Sequence, residues 1–230
     1  MSKQVASPTS ARGREARTRI LRAALRVFGR DGFDLATTRR IAQEADVSLP
    51  AIKYYFENKE GLYLACAREI VDRYQTEVGD ELQAILVDLE RGCSPDAARD
   101  HLKWVMRRVS AIARGEGAGS RTAFVLREMN EQGPAFEILY RELWQPGVRL
   151  TAALIARIEE KSAPDQESHL RALMLHASLT AFSTTRPVSL RYLESASIAP
   201  DDDAEALAIV DAHIDQLGAA APSRVRQASN

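Results

Sequence analysis

The chain has 230 residues, 31 Lys/Arg against 32 Asp/Glu for a formal net charge of −1, and 45% hydrophobic residues. That balance is ordinary for a globular fold, and no apolar run nears the roughly 20 residues that cross a bilayer, so no membrane partner is expected. Cys66 and Cys93 stand far apart without CxxC spacing, which points away from a disulfide framework or a zinc site. The stretch Met1–Arg14 is polar and lacks the apolar core of a signal peptide. The expectation is a cytoplasmic protein with no cofactor and no metal.

The average charge hides a division. Residues 1–60 hold 12 Lys/Arg and 7 Asp/Glu, whereas the remainder holds 19 and 25. A polyanion would be drawn to the first quarter and repelled by the rest.

Met1–Gly13, rich in Ser, Pro, Lys and Arg, reads as a flexible basic arm. From Ala16 the apolar residues Ile20, Ala24, Val27 and Phe28 fall at i, i+4, i+7 and i+8, widened by Leu21 and Leu25, with arginines mostly on the other side. Asp31-Gly32 ends this helix, glycine being the usual residue of a left-handed C-terminal turn. A second helix is capped by Thr37 or Thr38 and carries Ile41, Ala42 and Ala45 inward. Asp46-Val47-Ser48 is a tight turn. The third helix starts at Ser48 or Leu49, with Pro50 tolerated in its first turn. Ile52 and Phe56 face inward, leaving Leu49, Lys53 and Tyr54 outward. Asn58 caps a long fourth helix from Lys59 to about Leu89.

Helices continue to the end, with no period-2 stretch that proposes a strand. Ser94-Pro95-Asp96 combines a cap, a proline at the first helical position and an acid in the first turn, and starts a helix to Arg114. A Gly115–Gly119 loop precedes a helix over 121–131. After Gly133-Pro134 a longer helix reaches Glu160, broken or kinked at Gln145-Pro146-Gly147. The last two helices cover 165–184 and 203–217. The segment 186–202 is less regular, and Pro222–Asn230 reads as disordered. The expected fold is all-α: an N-terminal three-helix domain over 14–60, a larger helical domain over 61–218 and a tail over 219–230.

Two short helices joined by a three-residue turn make a helix-turn-helix, here spanning 37–56, whose second helix enters the DNA major groove. The residue types suit that use. Thr37 and Thr38 offer hydroxyls and backbone N–H groups at a helix N-terminus, which suits a phosphate. Lys59 does the same at the start of helix four and adds a charge. Arg39, Lys53, Tyr54 and Tyr55 supply cations and aromatic hydroxyls beside the groove.

The stretch G-F-D-L-A-T-T-R-R-I-A-Q-E-A-D-V-S-L-P-A-I-K-Y-Y-F-E-N-K-E-G-L, Gly32 to Leu62, resembles the signature of the TetR/AcrR family of transcriptional regulators. A Gly, a Thr pair, Ile-Ala, a turn ending Val-Ser, Tyr-x-Phe and Lys-Glu-x-Leu fall in register. The resemblance implies an all-helical homodimer, in most members a repressor, that leaves a palindromic double-stranded operator when a small-molecule inducer binds the C-terminal domain. By position it implies DNA contacts at Thr37, Thr38, Arg39, Leu49, Pro50, Ala51, Lys53, Tyr54, Tyr55 and Lys59. Asp46 stands where the family usually has glycine, a position aspartate tolerates. Lys53 stands where tyrosine is common. Phe124 to Tyr140, F-V-L-R-E-M-N-E-Q-G-P-A-F-E-I-L-Y, resembles the CecR-type sensor domain of one branch of the family.

Trp104, Phe124, Arg127, Phe136, Tyr140, Trp144 and His176 are the candidate ligand-pocket residues, with core packing as the competing role of the aromatics. His169 and His176 share a helix face without a third metal ligand. Arg127-Glu128 is either a polar ligand contact or an internal ion pair. No nucleophile–base pair or phosphate loop suggests catalysis, so no catalytic residue is expected. Two alternatives remain beside the metabolite: control by a protein partner, or by thiol redox at Cys66 or Cys93.

Overall fold

The computed structural model describes residues 11–114, 117–184, 186–192, 194 and 200–218. The tail and the first ten residues of the arm lie outside them. The described residues are helical, with no strand: α1 (Ala11–Leu35), α2 (Thr38–Glu44), α3 (Leu49–Phe56), α4 (Lys59–Glu90), α5 (Pro95–Arg114), α6 (Ala118–Glu131), α7 (Phe136–Leu139), a π-helical turn (Tyr140–Trp144), α8 (Gln145–Ile158), α9 (Gln166–Thr184), α10 (Arg186–Tyr192) and α11 (Pro200–Asp215).

Several boundaries differ from expectation. Helix α1 begins at Ala11, inside the segment read as a flexible arm, and extends past Gly32 to Leu35. Gly32 itself is not helical, with φ 78° and ψ 177°, so the helix is broken at the expected glycine and resumes for one short turn. Residues 186–192, expected to be irregular, form α10. The break expected at Gln145–Gly147 falls one turn earlier. There the backbone widens into a π turn whose last bond runs from the Gln145 N–H to the Tyr140 carbonyl. A proline ring clashes with the carbonyl four residues back, and widening the turn ahead of Pro146 relieves that clash.

The chain forms two compact units. One comprises residues up to Asp80 with Ala111–Pro146, the other Glu81–Ser110 with residues from Gly147 onward. The first unit is built on Ile20, Leu21, Ala24, Val27 and Phe28 of α1, Ile41 and Ala42 of α2, Ile52 and Phe56 of α3, and Leu62, Tyr63 and Cys66 of α4. Phe124 of α6 and Leu139 of α7 complete that core. Tyr63 sits at its centre, 4.7 Å from the Phe28 ring, 4.9 Å from Phe33 and 4.7 Å from Phe124. Helix α6 lies close along α1, the Cα of Gly29 passing beside Ala123 and Ser120.

The second unit packs Ile85 of α4, Leu102, Val105 and Met106 of α5, Leu150, Leu154 and Ile155 of α8, Ala172 of α9 and Ile214 of α11. Its charges are arranged as a ladder. Arg99, Lys103 and Arg107, spaced one turn apart on α5, pair with Asp211 and Asp215 of α11. Arg157 of α8 donates to the carbonyls of Gly92 and Cys93, tying α8 to the loop between α4 and α5.

Candidate nucleic-acid interface

The local chemistry of α2 and α3 determines which side chains face out. The Thr37 hydroxyl accepts from the Arg40 N–H at 3.2 Å and starts α2. At its end the Val47 N–H reaches back to the Ala42 carbonyl at 3.0 Å, with Asp46 in the left-handed region at φ 50°. This is the conformation that aspartate tolerates in place of glycine. Helix α3 then opens at Leu49 with Pro50 in its first turn. Ile52 and Phe56 are buried, and Val47 packs against the same core.

What remains outward on α3 is Leu49, Pro50, Lys53 and Tyr54. Arg39 and Thr37 are exposed at the start of α2 and Thr38 is half-buried. Tyr55 is half-buried with its ring edge-on to Tyr54 at 5.2 Å. Ala51 is buried, so its methyl group belongs to the helix packing and offers no surface to a groove. That departs from its expected role at the DNA; the inward arc of α3 is wide enough to take position 51 along with 52 and 56.

The start of α4 is bound to the end of α1. The Lys59 ammonium donates to the Asp34 carbonyl at 3.1 Å and lies 4.5 Å from the centre of the Phe33 ring. Asn58 caps α4 by accepting from the Gly61 N–H at 2.7 Å. A side chain at Gly61 would put its Cβ 2.2 Å from the Phe56 carbonyl oxygen, so this close approach of α3's end to α4 requires glycine.

Two features of this unit leave no trace in the sequence pattern, or almost none. Arg26, Arg30 and Arg40 are gathered by Asp31 and Glu44 into one ion-pair network across α1 and α2. Only the Arg40–Glu44 spacing hints at it. The second is a hydrogen bond from the Tyr63 hydroxyl to Glu128 Oε1 at 2.5 Å, deep in the first unit. Burial pushes the Glu128 carboxyl above the usual carboxylate range, and pushes the Tyr63 phenol up too. Residues 65 apart give no periodic signal.

The expected pocket residues divide between the units. Phe124 is fully buried core. Arg127 pairs with Glu131 and donates to the Arg30 carbonyl at 3.2 Å, rather than to its neighbour Glu128. Phe136, Tyr140 and Trp144 do form one aromatic face, Phe136 stacked on Tyr140 at 5.9 Å and 5.6 Å from Trp144. Trp104 and His176 lie in the second unit. Trp104 lines an open cleft of ≈ 570 Å³ with Asp88, Arg91 and His101. His176 meets the Thr151 hydroxyl at 3.0 Å, and burial lowers its pKa, which favours the neutral ring. Burial raises the thiol pKa of both Cys66 and Cys93.

A half-exposed recognition helix held by a left-handed turn on a basic three-helix head is the architecture of a DNA reader. Residues 20–66 match the family described as bacterial regulatory proteins, tetR family, and residues 98–221 match the C-terminal domain of the HTH-type transcriptional dual regulator CecR. The dual regulator CecR of Shigella flexneri is 30% identical over 176 residues, covering 74% of this chain and 77% of that protein. The chain belongs to the TetR family of transcriptional regulators. Its relatives are regulators, not enzymes. The transcriptional repressor AcnR of Corynebacterium glutamicum is 37% identical over 84 residues, 36% of this chain and 43% of that protein. The fold extends to the crystal structure of the Bacillus subtilis regulator FadR in complex with stearoyl-CoA. That likeness has a TM-score of 0.52 at 17% identity and covers 88% of this chain and 97% of that one.

Proposed function

We propose that this TetR-family regulator acts in the cytoplasm as a homodimeric repressor that leaves a palindromic operator when a small molecule binds its C-terminal helices. The observation that carries the reading is the outward face Leu49–Lys53–Tyr54 of α3, which follows α2 through the left-handed turn at Asp46. Its relatives include repressors as well as a dual regulator, and one neighbour of the same fold holds stearoyl-CoA. Thr37, Thr38 and Lys59 take phosphates. Lys59 uses one of its three N–H donors on Asp34 and keeps the others for DNA.

Helices α9 and α11 provide the dimer face. Leu170, Leu173 and Met174 on α9 and Ile209 on α11 are exposed in the single chain, apolar side chains that pairing would remove from water. Pairing sets two recognition helices about 34–36 Å apart, one turn of DNA. A ligand needs a coupling of about 1–3 kcal/mol to change operator affinity roughly 5–150-fold. The aromatic face of Phe136 with Tyr140 and Trp144, the two ends of the π turn, is the favoured wall of its site. Thiol control fits less well, because both cysteines are buried and burial disfavours their reactive thiolates.

The test begins with selection of bound sequences from a random duplex pool. Arg39→Ala and Lys53→Ala are then expected to weaken the selected duplex more than an unrelated one, by about 1–3 kcal/mol for each base no longer read. Equal losses on both would reduce these residues to backbone binding. A metabolite screen against the protein–operator complex, followed by release of DNA and by fluorescence of Trp104 and Trp144, tests the inducer. Release only by an added protein would favour a protein partner.

A further inference from the structure

The basic head carries some charges that are free to meet a partner and others that are held. Asp31 takes a hydrogen bond from Arg30 Nε at 2.8 Å and another from Arg40 Nη1 at 3.0 Å. Glu44 takes Arg30 Nη2 at 3.3 Å and lies 3.6 Å from Arg26 Nε and 3.7 Å from Arg40 Nε. The three arginine side chains are 49–51% exposed, while Asp31 and Glu44 are 16% and 27% exposed. The acids are therefore the more covered partners of these ion pairs, and each engages more than one guanidinium group. Arg39 and Lys53 are exposed, and among the described residues neither forms an ion pair. In a helix-turn-helix the first helix crosses the phosphate backbone, and Arg40 sits in the first turn of that helix. An arginine freed there has phosphates within reach.

We propose that Asp31 and Glu44 are specificity-determining positioning residues, which hold Arg26, Arg30 and Arg40 off the DNA backbone and so keep affinity for arbitrary sequence low. Phosphate contacts raise affinity for every duplex alike, whereas base contacts distinguish one from another. Restraining three arginines removes attraction of the first kind and leaves the second to Arg39 and the α3 face. Hydrogen bonding from Arg30 holds the Asp31 carboxyl below its usual range, so this acid stays charged wherever the protein is folded near neutral pH.

The test uses the full chain on an unrelated duplex and on the selected operator, with affinity followed against KCl concentration. Asp31→Asn with Glu44→Gln is expected to bind the unrelated duplex roughly eightfold tighter at 0.1 M KCl for each phosphate gained, counted over both chains of a bound dimer, and to steepen the log–log salt slope by about 0.9 for each. The ratio of operator to unrelated affinity shrinks, whereas Asp31→Glu, which keeps the charge, preserves it. Glu57→Gln with Glu60→Gln removes the same charge from two exposed acids of the same head. An equal gain there overturns the proposal in favour of long-range attraction, as does an unchanged slope in a folded Asp31/Glu44 variant. Arg40→Gln supplies a second route if that variant does not fold. Because Arg40 is already held, its loss should leave the slope on unrelated duplex unchanged; a slope flattened by about 0.9 per chain shows Arg40 on a phosphate and overturns the proposal. Failure of the unaltered chain to bind any duplex would instead count against the DNA-reading assignment itself.

Discussion

Glu128 and Lys59 show how much depends on what a single charged side chain touches. Glu128 is 1% exposed and accepts from Tyr63, so its carboxylate is buried at a cost that a neutral amide avoids. Its folded pKa lies above the ordinary value of 4.5. The proton is therefore bound more tightly in the folded state. The stability this contributes is fully present below the unfolded value and is lost as pH rises through the raised one. Glu128→Gln keeps an acceptor for Tyr63 and should abolish that decline. Denaturation followed from about pH 4 to pH 8 is expected to show the variant gaining on the parent as pH rises; parallel curves would mean that the buried carboxyl does not titrate over this range. Lys59 makes a different prediction. Lys59→Ala should weaken binding to every duplex by a similar factor and flatten the salt slope by about 0.9 for each phosphate released per chain. An unchanged slope with a lower melting temperature would leave Lys59 only its bond to Asp34.

At the scale of elements, the junctions carry more constraint than the helices. Helix α4 leaves α3 through a turn in which Gly61 nearly touches the Phe56 carbonyl. Gly61→Ala is expected to cost about 1–3 kcal/mol, as overpacking does, because the backbone of α3 or α4 must shift. It should also weaken operator binding, since the displaced helix is the one that reads. Thermal unfolding and operator titration measured together check this; a stable variant with full affinity would show that the junction gives way freely. Helix α9 joins α8 through His176 and Thr151, whose separation of 25 residues no local pattern encodes. The folded pKa of His176 lies below 6.5, so the stability of this junction is present above the unfolded value and is lost as pH falls through the depressed one.

For the whole molecule the decisive question is how two chains meet. Leu173 and Met174 are 51% and 72% exposed on α9, so neither contributes much to the fold of one chain. Leu173→Glu with Met174→Glu should leave helicity intact and give a monomer by light scattering. Losing the linkage between two reading heads then lowers operator affinity by about 10²–10⁴-fold, while affinity for a half-site changes little. A double variant that stays dimeric would place the interface on another face.

The elements of the reading head are legible in the residues because their signals are local. A threonine cap, a proline in a first turn, an asparagine cap and the inward pair Ile52 and Phe56 each act within a turn or two of helix. The widened turn before Pro146 is visible in the sequence as a break but not as a π turn, since proline demands relief without dictating its form. Helix α10 has Pro187 in its first turn, as α3 has Pro50, but over its seven residues no helical apolar period accompanies that signal. What only tertiary structure decided is which charges are engaged inside the protein: Arg26, Arg30 and Arg40 with Asp31 and Glu44, Arg127 with α1, and Glu128 with Tyr63. The same holds for the placing of α6 and α7 with the DNA-reading helices. Sequence states each side chain's chemistry and its helical face, but an ion pair or a buried hydrogen bond needs a partner at a fixed distance, and folding alone sets that distance.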